Sequence, residues 1–395
     1  MKPTLPKKRP ILFASNSPVA GTGYGQQTAQ LAQRLQRAGH PVAIASNYGH
    51  EGHISIWNGI RILPKGFDVW SNDVVAAHRE MWSEENGADA LVLTLFDVHV
   101  FGGPGWERIP NIISWVPIDH TPATGRVVEW LRRDNVTPVA MSMFGSRELA
   151  KAEVEHFYAP HALEKVFAPT PTVKRPDGSL LSGRGMMDFT PDDFVILMNA
   201  ANKGRHPTRK SWDTNLMAVS LFMGSHPDAR LYLHTERDGM MTGINLPRLL
   251  QAVGIPEEKV RFTGQYAYRM GLPQEALAAM YTGADVLLAA SLGEGFGIPQ
   301  LESLACGTPI VTSNWTACPE LAEGGGWVVD GQPMWDPDQE TWWVVPNVAS
   351  TVDALEAAYA APRGTSQEAV DFAAQYDADR VFTEHWKPIL AGFAS

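Results

Sequence analysis

Residues Glu294–Pro309 read EGFGIPQLESLACGTP. Two carboxylates stand eight positions apart around a Gly-rich turn. Pro299 then opens a stretch that places Leu301, Leu304 and Ala305 on one helical face before Gly307. Upstream, DVLLAAS (285–291) is an apolar run of strand length. The whole predicts a strand, a loop leaving its C-terminal end, and a helix. In a parallel sheet such corners bind ligands. A helix start offers unpaired backbone N–H groups and a partial positive charge, suited to phosphate. Gly295 and Gly297 let the backbone approach that ligand closely. Glu294 lies before this anion site and Glu302 one turn inside it. Carboxylates accept from sugar hydroxyls, so two acids beside a phosphate cradle point to a nucleotide sugar.

Working outward, the same alternation of strand and helix fills both halves of the chain. ILFAS (11–15), PVAIAS, ALVLTLF, NIISWVP and PVAMS (138–142) read as strands of a first sheet. GYGQQTAQLAQRLQRAGH is an amphipathic helix ended at Gly39, and another helix starts near Gly145. FVILMNA, ARLYLHT, VRFTG, ADVLLAAS, TPIVTS and WWVV read as strands of a second sheet. The Pro- and Gly-rich text between them marks an interdomain connection. The predicted boundaries are a first domain over 1–168, the connection over 169–190, a second domain over 191–370, and a C-terminal helix over 371–395 packing back on the first domain. At 395 residues, two domains are the default.

Composition narrows the function. The net charge is −11; residues 1–168 balance 16 basic against 16 acidic side chains, so the remainder carries the whole excess. That balance disfavours non-specific nucleic-acid binding. It also singles out NKGRHPTRK (202–210), where Lys203, Arg205, Arg209 and Lys210 follow a strand of the acidic half. Such groups suit a diphosphate and its departure as a leaving group. Two cysteines, Cys306 and Cys318, exclude a disulfide framework and suit a reducing, cytoplasmic location. No apolar run reaches the roughly 18 residues needed to span a bilayer.

Other strand ends carry candidates. SNSPVAGTGYG supplies Gly21, Gly23 and Gly25, a close-approach turn rather than a dinucleotide fingerprint. Asp97 and His99 follow ALVLTLF, and Asp119 and His120 follow IISWVPI; these four are the acceptor-side candidates. WDPD (335–338) has metal-ligand spacing but sits in a Trp-rich turn, and no metal is expected there.

SLGEGFGIPQLESLACGTPIVTS resembles the E-x7-E signature of family 4 retaining glycosyltransferases, the group 1 transferases of GT-B fold. GTGYG, YAPHALEKVFAP and RFTGQ…LAAMYTGADVLLAAS are similar to further segments of that family. The resemblance implies an α/β GT-B fold: two doubly wound Rossmann-like domains facing a central cleft, an acceptor side on the first and a nucleotide-sugar site on the second. It implies Glu294 facing the transferred sugar, Phe296, Gly297 and Ile298 giving backbone contacts, and Glu302 on the ribose. Lys210 matches the family's diphosphate-gripping lysine, while Arg205 and Arg209 compete for the arginine's role. His120 stands at about the position of the cleft histidine. The expected catalytic set is Glu294, His120, Lys210 and Arg205. The expected donor contacts are Gly23, Arg209, Lys210, Glu294, Gly295, Phe296, Gly297, Ile298 and Glu302.

The implied activity is retaining, metal-independent and cofactor-free transfer from a nucleoside-diphosphate sugar to a hydroxyl acceptor, with UDP ranked ahead of GDP. Alternatives are a phosphorylase, a sugar-nucleotide epimerase, a non-catalytic nucleotide-sugar-binding scaffold and, for the acceptor, a hydroxymethylated nucleobase in DNA. Peripheral membrane contact stays open.

Overall fold

The computed structural model describes residues 8–174, 177–204, 207–240 and 242–393. The chain forms two compact units. Unit 1 comprises 1–118, 122–162 and 376–395; unit 2 comprises 119–121 and 163–375. Among the described residues, no helix is long and apolar enough to cross a membrane.

Unit 1 is built on an eight-stranded sheet. Its strands are β1 (Ile11–Asn16), β2 (Val42–Tyr48), β3 (Ser55–Trp57), β4 (Ile60–Leu63), β5 (Leu91–Leu95), β6 (Ile112–Val116), β7 (Val136–Ala140) and β8 (Phe157–Tyr158). Their order is β3-β4-β2-β1-β5-β6-β7-β8. All pairs are parallel except β3 with β4. β1, β5 and β6 are buried throughout, as continuous apolar runs in a parallel sheet must be. The β3–β4 hairpin, missing from the sequence reading, turns at Asn58 and Gly59 with φ of 48° and 77°. An Asn-Gly pair is the strongest short hairpin signal, so the information was there.

The C-terminal segment of unit 1 is not one helix over 371–395. It comprises Ala378–Val381, a π-helical turn at Phe382–Trp386, and Lys387–Ala391. Pro388 removes an N–H and crowds the carbonyl of Glu384, which accounts for the wide turn just before it. Trp386 is buried edge-on against Trp115, ring centroids 4.9 Å apart. Asp379 pairs with Arg34 at 2.9 Å. The segment from Tyr376 therefore belongs to unit 1, whereas the helix Gln367–Ala373 belongs to unit 2.

Unit 2 opens with the hairpin β9 (Thr172–Lys174) and β10 (Leu180–Ser182). Its six-stranded sheet contains β11 (Phe194–Asn199), β12 (Ala229–His234), β13 (Val260–Phe262), β14 (Val286–Ala289), β15 (Ile310–Ser313) and β16 (Gly326–Val329). All neighbours are parallel, in the order β13-β12-β11-β14-β15-β16. Residues 169–190 are more than a connection. Arg184 pairs with Asp285 at 2.9 Å, and a Cβ on Gly183 would lie 1.7 Å from the carbonyl oxygen of Ala279. Gly183 and Arg184 are thus packed into unit 2.

WWVV does not join the parallel sheet. It lies in β18 (Thr341–Pro346), antiparallel to β17 (Gly331–Asp336) in a separate two-stranded sheet.

Candidate functional site

In unit 2 the strand order runs outward both ways from β11 and β14, so the switch point lies between these two strands. The loops leaving their C-terminal ends are the basic loop after Asn199 and the LGEGFG loop after Ala289. Adjacent strands thus bring together two motifs about 85 residues apart in sequence.

Backbone and side chains pin the basic loop. Asn202, 2% exposed, donates to the carbonyls of Glu236 and Ile244 and accepts from the Ile244 N–H. The Leu292 N–H donates to the Arg209 carbonyl at 2.8 Å. Ser211 adopts a left-handed φ of 48° at the start of the helix Trp212–Ser225. Lys210 and Arg209 therefore reach the opposite loop from fixed backbone.

There, Arg209 Nη1 donates to Glu294 Oε2 at 2.7 Å and to the Gly293 carbonyl at 2.8 Å. Lys210 Nζ donates to Glu294 Oε1. The Glu294 N–H is held by Thr316 Oγ1 at 2.9 Å. Glu294 is 8% exposed. Burial alone would raise its pKa, but Arg209 and Lys210 outweigh that and hold it at about 2. Burial and then Arg209 pull Lys210 below its ordinary value, while Glu294 pulls the other way. The basic loop, expected to hold a diphosphate, already brackets a carboxylate.

The helix Ile298–Ala305 begins as expected, with Pro299 in its first turn. Gly297 has φ of 110°, and a Cβ there would meet Gln300 Oε1 at 1.7 Å. Only glycine fits. Phe296 and Ile298 are buried. Glu302, 2% exposed, accepts from the Tyr281 hydroxyl at 2.7 Å, and Asn199 Nδ2 donates to that hydroxyl at 2.5 Å. Burial and then the Glu302 charge push Tyr281 well above its ordinary value. Tyr281 went unnoticed in sequence because it reads as one more apolar-face residue of the helix Gln274–Gly283. Arg209 is placed on Glu294 by its own hydrogen bond; Arg205, its competitor for the arginine's role, lies outside the described residues.

Asp119 and His120, expected with the first domain, belong to unit 2. The Thr121–Trp342 bridge ties their segment to β18. His120 is 4% exposed and stacks on Trp343 with centroids 4.7 Å apart and planes 19° apart. Its Nδ1 meets Asp119 Oδ1 at 2.7 Å and its Nε2 meets Asp336 Oδ2 at 3.2 Å. Asp336 Oδ1 also accepts from the Asp338 N–H at 2.9 Å. The WDPD string is thus built into the hairpin.

The remaining candidates stay in unit 1, on the loops leaving β1 and β5, which flank that sheet's own switch point. Gly23 is the first residue of the helix Gly23–Arg37, whose cap Thr22 accepts from the Gly25 N–H at 3.0 Å. Tyr24 donates to Asp97 Oδ1 at 3.4 Å. His99 lies in the short turn Val98–Val100 that follows Asp97. Cys306 and Cys318 are free and buried.

Residues 201–360 match the model of the family described as glycosyl transferases group 1. The O-antigen chain mannosyltransferase B of Escherichia coli is 38% identical over 77 residues, 20% of this chain and 19% of that one. The GDP-mannose-dependent alpha-(1-6)-phosphatidylinositol dimannoside mannosyltransferase of Mycobacterium tuberculosis is 35% identical over 145 residues, 36% and 34% of the respective chains. The chain spans less than half the length of the curated relatives it matches. Sucrose-phosphate synthase from Thermosynechococcus elongatus has a similar structure, with a TM-score of 0.73 over 98% of this chain and 100% of that one at 17% identity. That likeness speaks for the fold, which is GT-B as the sequence led us to expect.

Proposed function

We propose that this chain, whose residues 201–360 match the group 1 glycosyltransferase model, is a glycosyltransferase that moves a sugar from a nucleoside-diphosphate sugar to a hydroxyl acceptor. The observation that carries this reading is the Lys210–Glu294–Arg209 cluster, set at the switch point of unit 2 beside the start of the Ile298–Ala305 helix. A diphosphate brought there competes with Glu294 for two cations that are already oriented. An ammonium has three donors and a guanidinium five, so both can hold phosphate oxygens while keeping a contact to the carboxylate. The helix start adds backbone N–H groups. Glu294 then borders the sugar rather than the phosphate, and Glu302, fixed by Tyr281, is the candidate for the ribose hydroxyls.

Positive groups at the leaving diphosphate take the charge that a divalent ion takes in other transferases, so the proposed reaction is metal-independent. Retention of configuration is part of the proposal, implied by the resemblance to the family-4 signature. For the nucleotide, the GDP-mannose-dependent mycobacterial relative argues for GDP, against the UDP preference of the sequence reading.

The test is incubation with UDP- and GDP-sugars in the presence of a chelator and a mixed panel of hydroxyl acceptors, reading released nucleoside diphosphate and the mass of the product. The expected result is nucleotide release coupled to a glycosylated product, undiminished by the chelator. An isomerised sugar nucleotide without net nucleotide release favours the epimerase reading, and formation of a sugar phosphate from a glycosyl donor and inorganic phosphate favours the phosphorylase reading. No turnover of any donor leaves the scaffold.

A further inference from the structure

His120 has a carboxylate oxygen within hydrogen-bond reach of each ring nitrogen. A neutral imidazole has one N–H and can donate to only one of them. Both contacts are hydrogen bonds only when both nitrogens carry protons. The ring is also buried, and its face lies nearly parallel to Trp343, an arrangement that favours a cation.

Beyond His120 the charges continue. Asp119 Oδ2 lies 4.0 Å from Arg209 Nη1, and Arg209 is on Glu294. With a doubly protonated His120, the residues Asp336, His120, Asp119, Arg209, Glu294 and Lys210 form a row of alternating sign, anchored at one end by the hairpin β17–β18. The hairpin is itself fixed to the site loop: the Val344 N–H donates to the Leu292 carbonyl at 3.2 Å. A Cβ on Gly293 would lie 2.2 Å from the Asp119 carbonyl oxygen.

We infer that His120 serves as a fixed imidazolium pinned between Asp119 and Asp336, and that Asp336 is a positioning residue whose charge sets how strongly Asp119 holds Arg209. The inference rests on the function proposed above for its link to the donor. With His120 charged, Asp119 divides its attraction between imidazolium and guanidinium, and Arg209 is available to a diphosphate. With His120 neutral, Asp119 pulls more strongly on Arg209, and a donor must compete with that attraction. His120 is thus not a proton shuttle, because neither nitrogen is open to a substrate proton. Burial opposes the charged ring, yet the hydrogen bonds and charges of Asp119 and Asp336 outweigh it and raise the pKa. Among the described residues, the charged groups bearing on the ring are Asp119 from its own segment and Asp336 from the hairpin, with Arg209 and Glu294 behind Asp119 from the two site loops.

The test is histidine-ring NMR on the full chain, with the His120 signal assigned by its loss in His120→Gln. In the wild type, the ring is expected to be doubly protonated at neutral pH; a single-proton tautomer there overturns the inference. Asp336→Asn is expected to titrate at least about one pH unit lower, with Asp336→Glu in between; equal titrations overturn it. In steady-state assays, Asp336→Asn should raise the donor KM at least about fivefold above its own histidine titration and match the wild type below it, with kcat unmoved. A KM change equal at both ends of the pH range is structural damage and overturns the link to Arg209. The NMR readouts need no turnover. A protein that transfers no sugar would defeat the proposed function while the spectra still decide the state of His120.

Discussion

Replacing Glu294 by Gln is expected to lower the rate of sugar transfer at least about 100-fold. The substitution keeps shape and removes one charge. In the present arrangement that charge balances Arg209 and Lys210, and its loss leaves two cations facing each other around a neutral amide. A diphosphate then meets less competition, so donor binding is expected to hold or tighten while kcat collapses. That split separates a group acting at the sugar from one that merely binds donor. Steady-state kcat and donor KM, with a melting curve as control for folding, read it directly. A near-normal kcat contradicts the assignment. Because Glu294 is held at about 2, its favourable pairing is complete above the ordinary carboxylate range. It fades only as pH falls toward that value, so acid inactivation of transfer above that range has another cause.

Lys210→Ala is expected to lower transfer by a similar factor, at least about 100-fold, but with a different signature. Lys210 is the cation that faces both Glu294 and the expected diphosphate. Removing it weakens the donor complex and deprives the leaving group of its counter-charge, so kcat falls and donor KM rises together. Arginine is not an equivalent replacement. A planar fork does not fit the space of a point charge that is mostly buried against Glu294, with its side chain 19% exposed. An unchanged donor KM in Lys210→Ala would place the diphosphate elsewhere.

Much of this site was legible because its parts are local. The run from Val286 to Ala305 announces strand, Gly turn and Pro-started helix within twenty residues, and the structure holds each of them. What joins the parts is not local. That Arg209 and Lys210 close on Glu294 depends on β11 lying beside β14, a pairing that no periodicity reports. Asp119 and His120 sit at the end of β6, and their sequence neighbours place them with unit 1; only the hairpin shows that they belong to unit 2. The hairpin itself was misread because TWWVVP looks like a buried parallel strand. Its burial instead varies residue by residue, with Trp342 exposed and Val344 buried, as in a strand covered on one face. Tyr281 shows the same limit: a phenol on a helix becomes a ligand for Glu302 only once two helices are packed.

The central claim is that amides at the start of the Ile298–Ala305 helix, together with Lys210 and Arg209, receive the diphosphate of a donor. A crystal structure with bound UDP or GDP measures this most directly. The account predicts phosphate oxygens within hydrogen-bond reach of the Gly297–Ile298 backbone and of Lys210 Nζ, with Glu294 turned toward the sugar side. Nucleotide bound away from that corner, with Lys210 and Arg209 still closed on Glu294, would contradict it.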